Sequence, residues 1–184
     1  MQHKLFLIVL GATPPGRNIE QHDVMFAVGK SIEDTYPKIL QHWSVKGVHI
    51  DAYVEVTQVD GFKINIVNAK QDAHLQANRL YFINLGGYMP NDIEEYHKKI
   101  LVAASNKIEA KRKVKTDDFF KQGLQEKNAC PHYDDQFEIV GFDVDNCLLL
   151  DEHIEKCYSI ELLEDHSSKW INNKKVIGYF PIKQ

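Results

Sequence analysis

The sequence predicts an α+β fold of two tandem ββαββ units related by internal duplication, mainly antiparallel sheet with one helix per unit. Three observations carry that prediction. The apolar run Leu5 to Ala12 returns as Leu80 to Gly87 at an offset of 75 residues. Both runs are rich in strand formers and far too short to span a bilayer, so they read as buried strands ended by glycine. Asp60-Gly61, set between two apolar segments, is a strong hairpin signal.

Each element follows in order. After the first strand comes a polar loop with Pro15, matched by Pro90 in the second copy. Ile19-Glu20-Gln21 then falls on Ile93-Glu94-Glu95 at an offset of 74, and the apolar run ending at Gly29 falls on the one ending at Ala104. Asp23 to Val28 and Lys99 to Ala104 read as second strands. A helix over the same stretch stays open, since Ile93, His97, Ile100 and Ala104 fit helical spacing. The strand reading is preferred because Ser31 to Asp34 and Asn106 to Glu109 resemble helix starts. The helices that follow run to about Trp43 and Phe120, with Pro37 tolerable only near a first turn. An alternating segment from His49 to Val59 then leads into the Asp60-Gly61 hairpin, with Asp145-Asn146 as the second copy's turn. The tail adds a strand near Tyr158 to Leu163 and a hairpin around Asn172-Asn173. The resulting organisation is 1–75 for the first unit, 76–152 for the second, and 153–184 for the tail. Strands at positions 5–10 and 80–85 should be equivalent, central and related by a pseudo-twofold operation.

Composition excludes several classes. Ten Gly and six Pro are too few for collagen-like or low-complexity chains, and 10% aromatic residues argue against disorder. With 22 basic and 26 acidic residues, the net charge of −4 gives no general reason to expect a nucleic-acid partner. Three cysteines, Cys130, Cys147 and Cys157, are an odd number and none forms a Cys-x-x-Cys pair, which argues against a thiolate zinc site and a disulfide framework. The chain reads as cytoplasmic, with no membrane segment. Edge strands left by such units leave room for a homo-oligomer.

The run ending at Gly11, then Ile19-Glu20 with His22-Asp23-Val24, His49-Ile50-Asp51 and Val59-Asp60-Gly61-Phe62, resembles the family called domain of unknown function 1543. The resemblance covers most of residues 4–67 and, less closely, 80–150. It implies one or two copies of this unit and carries no activity. Copy two places Tyr96-His97 where copy one has His22-Asp23, and Asn146 for Gly61.

The chemical candidates lie in the first copy. Glu20, His22 and Asp23 sit together after the first strand, and a carboxylate beside an imidazole can orient a general base or ligate a divalent metal. His49 and Asp51, two apart on a strand, point to one face. Their second-copy counterparts are Glu94, His97, His132 and Asp134, and Asp145 answers to Asp60 as a turn residue. The bland alternative is that these residues are loop caps, strand-end hydrogen bonds or a solvated face. Gly11 to Asn18 has the glycine spacing of a phosphate loop, but Pro14 and Pro15 remove donors and no hydroxyl follows Arg17, so it reads as a turn. Cys130-Pro131-His132 reads as an ordinary thiol beside a histidine. Lys107 to Lys115 reads as a solvated helix face, with Ile108 and Val114 inward.

Two functional readings stand side by side. The chain is a module that binds a small molecule or a protein, or it is a metal-dependent or acid–base hydrolytic enzyme using Glu20, His22, Asp23, His49 and Asp51. No metal or cofactor is identified by the sequence. Convergence of these side chains in space is the observation that discriminates.

Overall fold

The structure is a computed structural model, described for residues 2–69, 76–88, 93–115, 142–165 and 173–182. Its strands and helices in chain order are β1 (Lys4–Ala12), β2 (Gln21–Gly29), α1 (Tyr36–His42), β3 (His49–Val56), β4 (Gln58–Val59), β5 (Phe62–Asn68), β6 (Arg79–Tyr88), β7 (Glu95–Ala104), α2 (Lys107–Val114), β8 (Phe142–Leu149), β9 (Tyr158–Glu164) and β10 (Lys174–Pro181). The chain divides into two units. One is Met1–Leu75 joined by Asp151–Gln184, and the other is Gln76–Leu150. Among the described residues, all strand pairs are antiparallel and each unit carries one α-helix, so the fold is α+β.

In the first unit the main sheet has the order β10-β3-β1-β2, and a smaller sheet has the order β4-β5-β9. β1 is nearly continuously apolar because it is flanked on both edges and covered on both faces. Phe6, Ile8 and Leu10 pack in one core with Met25, Ile39 of α1 and Ile50, while Leu5 and Leu7, alternating with them, are also buried. The Asp60-Gly61 turn is as expected. Both residues have positive φ, 50° and 81°, as a two-residue hairpin of this hand requires.

α1 follows a turn of 3₁₀ helix at Glu33–Thr35, and Pro37 lies in its first turn, where no backbone donor is lost. Asp34 accepts hydrogen bonds from the amides of Lys30 and Ser31. The tail locks onto the first unit through Asn173. Its Oδ1 accepts from Thr57 N, Thr57 Oγ1 and Gln58 N, and its Nδ2 donates to Gln58 O.

The second unit has the sheet order β7-β6-β8, backed by α2. Asn106 caps α2 by accepting from Glu109 N, and the Glu109 carboxylate accepts from the Ser105 amide and hydroxyl. β1 and β6 are each the central strand of their sheet and pair alike. Each carries an irregularity against the third strand, at Val9/Leu10 and at Asn84/Leu85, positions 75 apart.

Several expectations are corrected. The second strand begins at Gln21, so His22 and Asp23 are strand residues rather than loop residues. α2 buries Ala110 and Val114, four apart and therefore on one face, and leaves Ile108 exposed. Asp145-Asn146 is no turn, because β8 runs through it and pairs with β6 on both sides of a bulge at Asp145. The tail does not fold back as one hairpin either, since β9 pairs with β5 and β10 with β3. Cys130 to Asp134, Phe119 and Phe120 lie outside the described residues, as does Asn172.

Candidate metal centre

The site is built around a missing side chain. Gly11 in β1 stands opposite His22 in β2 and His49 in β3, and directly opposed residues in an antiparallel sheet share a face. With no side chain on β1 at this point, the His49 imidazole and the Asp51 carboxylate lean over the glycine. A Cβ placed on Gly11 would lie 2.6 Å from His49 Nε2 and 2.7 Å from Asp51 Oδ2, so only glycine admits this arrangement.

A β-bulge brings in the next side chain. β1 pairs Leu10 with Ile50 and Val9 with Ala52, which leaves Asp51 as the extra residue of β3. The bulge sets its carboxylate beside His49, and Glu20, just before β2, closes the group. The four side chains alternate in sign. His22 Nε2 lies 3.5 Å from Glu20 Oε2 and 3.3 Å from Asp51 Oδ2. His49 Nε2 lies 3.2 Å from Glu20 Oε1 and 3.2 Å from Asp51 Oδ1.

The hydrogen bonding of His49 decides what this geometry can do. Its Nδ1 lies 3.0 Å from the carbonyl of Gly47. A carbonyl only accepts, so Nδ1 carries the proton and donates. In a neutral ring Nε2 then aims a lone pair at two carboxylates, which is repulsive unless a proton or a metal cation lies between them. One nitrogen of His49 is thus anchored to backbone and the other presented to the group, an orientation that a metal-ligating histidine also takes. Asp51 Oδ2 is buried and, among the described residues, accepts no hydrogen bond, a costly arrangement for a carboxylate oxygen. Each imidazole meets a different oxygen of each carboxylate, so the four contacts form a closed ring of imidazole–carboxylate pairs.

Tyr179 is a further member. Its ring lies 4.3 Å from that of His49 at an interplanar angle of 44°. It is placed there by a second irregularity, for β10 pairs Ile177 with Ala52 and Phe180 with Ile50, leaving Gly178 and Tyr179 opposite Asp51. Gly178 in the tail strand is the signal that could have flagged the bulge. His49 is buried, whereas His22 is 56% and Glu20 41% exposed, so the group opens to solvent on the β2 side.

Glu20, His22, His49 and Asp51 therefore converge; Asp23 does not. Adjacent strand residues point to opposite faces, and Asp23 accepts a 2.9 Å hydrogen bond from His42 Nε2 of α1 on the other side of the sheet.

The second unit holds a comparable group over a glycine of its own central strand. Gly86 stands opposite His97 and Asp143, and Asp145 is the bulge residue of β8. A Cβ on Gly86 would collide with Asp145 and come within 2.6 Å of Glu95 Oε1. One ligand atom from each of Glu95, His97 and Asp145 lies within 4.8 Å of the others. Strand register thus makes His97 the equivalent of His22, Glu95 that of Glu20 and Asp145 that of Asp51, at constant offset along β2 and β7. The sequence pairing of Glu20 with Glu94 is one residue out, and that of Asp60 with Asp145 is replaced. Glu94 is exposed and precedes β7, while His132 and Asp134 lie outside the described residues. Cys147, also in β8, has its thiol pushed up by burial against the opposing pull of Lys111 and Lys107, which disfavours the thiolate.

Residues 17–66 match the model of the family described as Domain of Unknown Function (DUF1543). The crystal structure of protein Il1583 from Idiomarina loihiensis is 30% identical over 99% of this chain and 99% of its own, with a TM-score of 0.67. The chain belongs to the DUF1543 family. No curated protein matches it. The DUF1543 segment contains Glu20, His22, His49 and Asp51, and Gly11 lies just before it. Among the described residues, no helix is long and apolar enough to cross a membrane.

Proposed function

We propose that the protein is a divalent-metal-binding domain whose first unit holds the ion through Glu20, His22, His49 and Asp51. The carrying observation is the closed alternation of two imidazoles and two carboxylates over Gly11, with N···O separations of 3.2 to 3.5 Å. Two nitrogen and two carboxylate donors suit zinc and its first-row neighbours rather than calcium or magnesium. The exposure of His22 and Glu20 leaves room for water or substrate on the ion. That favours a second, more specific reading as a metal-dependent hydrolase, with Tyr179 beside the ion as a donor to an anionic group. We also read Gln76–Leu150 as a second copy of the family's unit, supported by the shared bulge and register. Residence in the reducing cytoplasm is supported by the free Cys147 and Cys157.

The test is a titration of the chelator-treated chain with Zn²⁺ and Co²⁺, followed by thermal unfolding and by the cobalt d–d spectrum. Binding at a hundred times Kd adds about 2.7 kcal/mol of stability, so a clear rise in Tm is expected. His49→Ala should abolish both the rise and the spectrum. A wild-type chain that shows neither response would overturn the reading.

A further inference from the structure

We infer that the second unit carries its own divalent-cation site, on Glu95, His97 and Asp145, and that this site prefers a harder ion than the first. No part of it is shared with the Glu20–His49 group. The argument starts from the strand that lies beneath it. Gly86 has no reason of turn geometry to be glycine, since it lies inside β6 and is paired with His97 on one side and Asp143 on the other. What it does is make room for Glu95 and Asp145, both of which a Cβ there would strike. Glycine inside a central strand weakens it, so a feature that needs the space is the natural reason to find one.

The three side chains then meet as ligands do. His97 Nδ1 lies 3.2 Å from Asp145 Oδ2, and His97 Nε2 lies 3.6 Å from Glu95 Oε2. The imidazole lies between two carboxylates with a different nitrogen towards each, whereas each imidazole of the first unit turns Nε2 alone to both of its carboxylates. The amide of Asn84 reaches both partners, 3.1 Å from His97 Nδ1 and 3.1 Å from Asp145 Oδ2. Its counterpart on β1 is Val9, which offers no polar atom, so the second group has a polar neighbour that the first lacks.

The difference in ion preference comes from register. At the position of His49 stands Asp143, so the second set contains one imidazole where the first has two. A set of one imidazole and two carboxylates is harder than one of two imidazoles and two carboxylates, which moves the preference from zinc towards manganese or magnesium. The chain is therefore expected to bind two ions, one of each character.

The experiment uses the full chain, stripped of metal, titrated with Mn²⁺ by calorimetry and by electron paramagnetic resonance of the free ion. Wild type should take up two ions per chain. The double variant His22→Ala with His49→Ala should retain one manganese site, and adding Asp145→Asn should weaken that site at least tenfold. Glu95→Gln alone should do the same while leaving the zinc response of the first unit intact. Unfolding of each metal-free variant keeps a folding failure from passing as lost binding, and His97→Gln serves where Asp145→Asn misfolds. Retention of manganese stoichiometry and affinity in Glu95→Gln and Asp145→Asn would overturn the second site. One ion in wild type that vanishes with His22 and His49 would do so as well. If the first unit binds nothing while the manganese site persists, the proposed function fails and this inference stands.

Discussion

Replacing Gly11 with alanine isolates the geometric claim from the chemical one, because it alters no ligand. Ordinary van der Waals contact begins near 3.4 Å, and the new methyl would stand 2.6 Å from His49 Nε2 and 2.7 Å from Asp51 Oδ2. The two ligands must therefore give way by about 0.7 to 0.8 Å, several times the roughly 0.2 Å tolerance of a metal–ligand bond. His49 cannot simply swing aside. Its Nδ1 is tied to Gly47 O, its ring lies against Tyr179, and the residue is 5% exposed. Affinity should fall by at least tenfold, the scale seen when a ligand's support is disturbed.

Folding stability should fall modestly, since overpacking of this kind costs about 1 to 3 kcal/mol. Alanine in place of glycine reduces the entropy of the unfolded chain by about 0.4 to 1 kcal/mol, which offsets part of the contact strain. The assay is paired: thermal unfolding of the metal-free protein, and competition for Zn²⁺ against a chromogenic chelator. The expected result is a metal-free Tm a few degrees below wild type and a zinc affinity at least ten times weaker. Wild-type affinity in Gly11→Ala would refute the reasoning, because a methyl cannot occupy that space without displacing two of the four ligands.

Three further outcomes follow from the fold. Asn173→Ala removes the anchor made to Thr57 and Gln58 and leaves buried backbone donors unsatisfied, so urea unfolding should report a loss of about 2 to 3 kcal/mol. Asn106→Ala deletes the cap of α2 and should cost about 1 kcal/mol, read from the same unfolding curves. Hydrogen bonds from Ser105 hold the Glu109 carboxyl below its ordinary value, so its contribution is complete above the unfolded-state pKa and is lost as pH falls through the folded one. Nuclear magnetic resonance titration of the Glu109 carboxyl should move up towards the ordinary value in Ser105→Ala; no movement would remove Ser105 as the cause.

What the letters disclose here depends on whether the information is local. The strands of the first unit are legible because apolar runs and the Asp60-Gly61 turn are local signals, and both survive in the structure. His49 and Asp51 are legible as one face from spacing alone. Asp23 is not, because its separation from His22 follows from where β2 begins, and two polar residues at a loop edge carry no period. The role of Gly11 is hidden for a related reason. A glycine after an apolar run reads as a terminator, and only the opposed strands reveal it as a floor.

The equivalence of Asp51 with Asp145 marks the deeper limit. Alignment by shared dipeptides draws Asp145-Asn146 towards the turn at Asp60-Gly61, since both look like turn letters. Register instead places Asp145 at a bulge beside a glycine floor, with a length between β7 and β8 quite unlike that between β2 and β3. Identity of letters and identity of position part company wherever an insertion intervenes. A bulge adds a second reason, because it shifts strand parity by one residue and so defeats the alternation on which a face assignment rests. The irregularities act differently on the members of the group. Asp51 keeps the two-residue spacing from His49 that marks one face, whereas Gly178 and Tyr179 come opposite it because β10 breaks its pairing there, so an interrupted strand register over a central glycine is the feature to seek in other chains of this kind.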